Sequence, residues 1–111
     1  MEKVYNLTQL EELAGGSSDF VDSMIETYLE HTPQQFNEME NAYKAGDLIT
    51  MGSIAHKIKP NVDLFGITQI KDDIRIVEQK GKSGTNDDEL TTSFSNVKKF
   101  LELSFEQLRQ R

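Results

Sequence analysis

The chain has 111 residues, 36% of them hydrophobic and 8% aromatic, with no cysteine and a formal net charge of −7. That bounds it to one domain over residues 1–111 with a modest core. It excludes disulfides and thiolate metal sites, and it argues against a nucleic-acid partner, whose binding needs Lys and Arg to neutralise phosphates. The opening "MEKVYNLTQLEE" lacks the basic and apolar regions of a signal peptide. No apolar run reaches the roughly 18 residues of a membrane span, so a cytoplasmic protein with no membrane partner is expected.

Helix punctuation runs the length of the chain. In "LTQLEELAGG", Thr8 and Glu11 form a capping box and Gly15-Gly16 a stop. Ser17 or Ser18 then caps a segment whose apolar residues Phe20, Val21, Met24, Ile25, Tyr28 and Leu29 recur at helical spacing. Thr32-Pro33, with Gln35 following, predicts a new helix start, carrying Phe36, Met39 and Tyr43 inward as far as Gly46. His31, just before that start, is expected at a helix C-terminus, where it would interact with the dipole.

Asp47 caps a fourth segment that runs to about Phe65, with Gly66 as its left-handed stop. Thr68 opens a fifth, marked by Ile70, Ile74 and Val77. The polar run "KGKSGTNDD", residues 80–88, is expected to be the most mobile loop, and Asn86 or Asp87 caps a last helix through Leu90, Phe94, Val97, Leu101 and Leu108. No segment alternates with period two. The expected fold is all-α: an antiparallel up-down four-helix bundle, its helices starting near residues 33, 47, 68 and 87, with two additional N-terminal helices packed against its side or capping one end.

The fourth segment carries two stripes. Leu48, Met51, Ala55, Ile58, Val62 and Phe65 are apolar and face the core. Gly52, His56, Lys59, Asp63 and Gly66 lie about 100° further round, which puts the His56 ring at the border of the bundle. Lys59 follows His56 by one turn, Lys57 flanks it, and Gly52 and Ser53 leave space one turn earlier. Pro60 has no N–H, so the carbonyl of His56 loses its helical donor and a bend is expected there rather than a helix end. A flat patch with one imidazole and nearby ammonium groups suits a protein partner that brings an anion to the ring.

His56-Lys57-Ile58-Lys59-Pro60, preceded by Ala55 and followed at the right spacing by Gly66, resembles the H-x-L-K-G motif of histidine-containing phosphotransfer domains. Pro60 departs from the family's glycine, and Ile58 replaces its leucine. The resemblance covers nearly the whole chain. It implies a phosphorelay shuttle: a receiver domain carrying a phosphoaspartate docks, His56 attacks phosphorus through Nε2, and the phosphohistidine passes the group to another receiver aspartate. Lys59 is then the charge that stabilises the phosphoryl group, and Lys57 an auxiliary one.

Gly52, Ser53, Pro60, Asp63 and Gly66, with Ile49 and Leu64 beside them, are the candidate docking residues. The implied partners are response-regulator receiver domains and a hybrid sensor kinase. No cofactor is expected on this chain, Mg²⁺ being held by the receiver, and no metal site. A monomer is expected, and the start at Met1 favours a free-standing shuttle. The chain has no nucleotide-binding motif, so autonomous kinase activity is not expected. The alternative function is a helical module that docks a signalling partner without accepting phosphate.

Overall fold

One helix runs unbroken from Ser18 to Lys44 in the computed structural model, which describes residues 2–111. Elements follow in the order α1 (Thr8–Ala14), α2 (Ser18–Lys44), α3 (Leu48–Leu64), a single 3₁₀ turn (Thr68–Ile70), α4 (Lys71–Ser83) and α5 (Asp88–Arg109). Among the described residues there is no strand. The all-helical class expected from the sequence is borne out; the helix count is not.

The correction falls on Pro33. The helix start predicted there does not exist, because both halves of α2 bury one continuous stripe of Val21, Ile25, Tyr28, Thr32, Phe36 and Met39. An interior proline costs a helix about 3 kcal/mol, and the packing of that stripe outweighs it. Thr32 is not a cap: it is buried, and its hydroxyl accepts a hydrogen bond from the Asn61 amide at 3.2 Å. His31 is accordingly an exposed mid-helix residue, with no helix end nearby to interact with. At 1.5 Å per residue, the 27 residues of α2 account for the 43 Å long dimension of the molecule.

Two other helix ends differ from expectation. Thr8 does not cap α1; Leu7 does, without a side-chain bond, while the Thr8 N–H donates to the Asn6 side chain. The predicted mobile loop is mostly helix, since α4 continues to Ser83 and Gly84 stops it at φ 66°. What remains is tied across by Lys80, which pairs with Asp87 at 2.7 Å and Glu89 at 3.1 Å. Ser17, Asp47 and Asp87 do cap their helices, accepting from the N–H groups of Phe20, Thr50 and Leu90.

Side-chain pairs fix how the helices lie. On α2 and α5, Tyr28 meets Ser104 at 2.7 Å, Glu40 meets Lys98 at 2.7 Å and Tyr43 stacks on Phe94 at 4.3 Å, so the partner number falls as the residue number rises. The same opposed order links α3 to α4, through Asp63 with Arg75 and Lys59 with Glu78. The core between these helices is built from Met39, Met51, Ile58, Phe65, Ile74, Val77, Leu90 and Leu101, all without measurable exposure. The N-terminal segment closes one end: the Asn6 N–H donates to the Phe65 carbonyl at 2.9 Å, and Gln107 bonds both Val4 and Glu2.

Candidate functional site

His56 stands on the outer face of α3 with 65% of its side chain exposed, yet its ring is held from below. Nδ1 lies 2.6 Å from Oε2 of Glu78, a residue of α4 whose side chain is only 7% exposed. The other oxygen of the same carboxylate, Oε1, accepts from the Lys59 ammonium at 2.8 Å. Lys82, one turn further along α4, reaches Oε2 at 3.4 Å. One buried carboxylate thus gathers the imidazole and two ammonium groups.

The electrostatics of that carboxylate decide what the ring does. Lys59 holds Glu78 down to about 2 against the opposing effect of burial, with the bonds from His56 and Lys82 adding to the same direction. Glu78 is therefore ionised across the whole range in which an imidazole titrates, and an ionised carboxylate only accepts. Nδ1 must then carry the proton it shares with Oε2, and the neutral ring has its free lone pair on Nε2, directed away from the carboxylate. A fixed tautomer with an outward nucleophilic nitrogen is suited to attack on an electrophile delivered from solvent or by a partner. The ionised Glu78 beneath it would stabilise positive charge on a ring substituted at Nε2.

The sequence-predicted residues divide into those at the surface and those inside. Ile49 is 73% exposed, and Ser53, Lys57 and Pro60 are exposed with it on the His56 face of α3. Pro60 lies within α3, which continues to Leu64. It interrupts one backbone bond without ending the helix, because the buried positions Ile58 and Val62 lie on either side of it. Lys59 is half-buried and ion-paired, not a free ammonium.

Four of the proposed docking residues have other tasks. Gly52 is buried against α4, where a methyl group built on it would lie 2.8 Å from the Cα of Gly81; it leaves no space for a partner. Gly66, at φ 62°, is covered by the N-terminal segment, since a Cβ there would meet the Asn6 carbonyl oxygen at 2.6 Å. Leu64 packs half-buried against the core. Asp63 is half-buried in an ion pair with Arg75 at 3.0 Å.

Sequence reasoning missed Glu78 and Lys82. The available signal was a charged residue directly following Val77 on the core stripe of α4, one turn after Ile74. A carboxylate in that position is not buried unless a cation meets it.

The family model for the Hpt domain matches residues 23–111. The chain belongs to the Hpt domain family. Hpt domains are the histidine phosphotransfer modules of phosphorelays, where they interact with receiver domains, so phosphorelay histidine phosphotransfer is the general function of this chain. The resemblance read from His56, Lys59 and Gly66 is borne out. The match begins inside α2, so α1 and the first residues of α2 lie outside the Hpt match. No curated protein and no solved structure matches the chain. Among the described residues, no helix is long and apolar enough to cross a membrane.

Proposed function

We propose that this Hpt domain is a shuttle that takes a phosphoryl group from a receiver phosphoaspartate onto Nε2 of His56 and passes it to the aspartate of another receiver. The observation that carries this reading is the hydrogen bond from Nδ1 of an exposed imidazole to a buried, ionised Glu78. The Nε2 lone pair attacks phosphorus, an N–P bond forms, and the P–O bond to the aspartate breaks, leaving the receiver carboxylate. No proton need leave the ring. The product is an Nδ1-protonated phosphoimidazole whose positive charge faces Glu78, and reversal of the same step delivers the group to the next aspartate.

Little covalent work falls to the protein; it supplies position and charge. In this reading α2 to α5 form an antiparallel four-helix bundle whose rigidity fixes the ring. Lys59 orients Glu78 and adds positive charge beside the incoming phosphoryl group, and Lys57 contributes from the exposed side. The docking face is the outer side of α3, with Ile49, Ser53 and Pro60 around His56. Mg²⁺ belongs to the receiver, the donor receiver belongs to a hybrid sensor kinase, the setting is the cytoplasm, and the shuttle is a monomer.

The test is to mix the purified chain with a receiver domain carrying labelled phosphoaspartate. Acid-labile label on the wild type and none on a folded His56→Gln variant supports the proposal. Binding of the phosphorylated receiver without label transfer would make the chain a docking module instead.

A further inference from the structure

α3 and α4 touch backbone to backbone at one place. A methyl group on Gly52 would lie 2.8 Å from the Cα of Gly81 and 3.0 Å from the Glu78 carbonyl oxygen. One on Gly81 would meet the backbone of Gly52 and lie 2.7 Å from the Leu48 carbonyl oxygen. Real Cβ atoms do not approach backbone so closely, so any residue other than glycine at either position forces the two helices apart. Neither glycine has a positive φ, and each sits inside its helix, where glycine destabilises by roughly 1 kcal/mol relative to alanine. Local conformation therefore explains neither residue; the close approach does.

The contact lies one turn from both halves of the site. His56 follows Gly52 by four residues on α3, and Glu78 precedes Gly81 by three on α4. In an opposed pair of helices those steps bring His56 and Glu78 to the same level, where the Nδ1 to Oε2 distance is 2.6 Å. A separation of about 1 Å at the glycines carries the carboxylate beyond hydrogen-bonding range, which ends near 3.2 Å.

We propose that Gly81, seated on Gly52, is a positioning residue for phosphoryl transfer: the glycine pair sets the depth of Glu78 beneath the imidazole and so fixes which ring nitrogen is free. This rests on the reading of His56 as phosphoacceptor for its consequence, but the geometric claim concerns the unmodified ring. A misplacement of about 1 Å in a reacting group can lower a rate on the order of a hundredfold.

The experiment compares wild type, Gly81→Ala and a destabilised control, Val97→Ala on α5, by ¹⁵N NMR of the His56 ring and by rate of label uptake from a phosphorylated receiver. The expected result is an Nδ1–H tautomer in wild type and control, a mixed tautomer in Gly81→Ala, and label uptake at least tenfold slower in Gly81→Ala alone. An unchanged tautomer in Gly81→Ala, or an equal shift in Val97→Ala, overturns the proposal. If Gly81→Ala does not fold, Glu78→Asp withdraws the carboxylate by one methylene with the glycine contact intact. Loss of the Nδ1–H tautomer there supports the proposal, and its retention refutes it. Should wild type take no label, the phosphoacceptor reading fails, while the tautomer comparison still decides what the glycine pair does.

Discussion

Glu78 lies 22 residues from His56 in the chain and 2.6 Å from its ring. That contact joins α4 to α3 at the one point where an exposed imidazole meets a buried carboxylate. In the proposed mechanism it makes Glu78, alongside the lysines of the motif, a determinant of the chemistry.

Glu78→Gln keeps the size of the side chain and removes its charge. Positive charge on the substituted ring then loses its counter-ion, and an amide no longer enforces the Nδ1–H tautomer, since it both donates and accepts. Phosphoryl uptake from a receiver is expected to fall about 10- to 100-fold while the helical circular dichroism is retained. Uptake at the wild-type rate would remove Glu78 from the mechanism.

Glu78 also makes folding depend on acid. Its carboxyl lies near 4.5 in an unfolded chain and is held down to about 2 in the folded one. The folded state therefore gains stability from it above pH 4.5, and that contribution is lost as pH falls from 4.5 through about 2. The amount is on the order of 3 kcal/mol. Urea unfolding at pH 3 and pH 6 is expected to show a smaller stability difference in Glu78→Gln than in wild type.

The three lysines around the ring are not equivalent. Lys59 is half-buried on Oε1, Lys82 is 71% exposed on Oε2, and Lys57 has no carboxylate partner among the described residues. Substitution by alanine is expected to slow transfer most at Lys59, less at Lys82 and least at Lys57. Single-turnover rates at low and high salt check this order, because exposed charges are screened more strongly than buried ones.

Gly66 separates stability from docking. Alanine at φ 62° incurs the left-handed backbone penalty and also meets the Asn6 carbonyl oxygen. The expected result is a loss of about 2 kcal/mol or more in thermal or urea unfolding, with receiver affinity unchanged in the folded protein. A docking role predicts the reverse: weaker binding and intact stability.

How much of this was legible in the sequence follows from what each feature depends on. The buried stripe of α3, the caps at Ser17, Asp47 and Asp87 and the stops at Gly15 and Gly66 are local, and periodicity and side-chain chemistry revealed them. Pro33 misled because its local rule, a helix start, was overridden by a buried stripe that only tertiary packing rewards. Ion pairs to Asp87 and Glu89 ordered a segment whose composition reads as loop. At the site, His56, Lys57 and Lys59 share one helix and could be read together. Glu78 and Lys82 belong to another helix, and only the packing of α3 on α4 brings them to the ring. Gly52 looked like space for a partner because a sequence does not say which neighbour fills a glycine's face; here it is Gly81.

The most direct test of the account is where the phosphorus goes. After incubation with a phosphorylated receiver, ¹H–¹⁵N–³¹P NMR of the labelled chain should place one phosphoryl group on Nε2 of His56, with Nδ1 still protonated. Phosphorus on Nδ1, on His31, or on no histidine at all would contradict it.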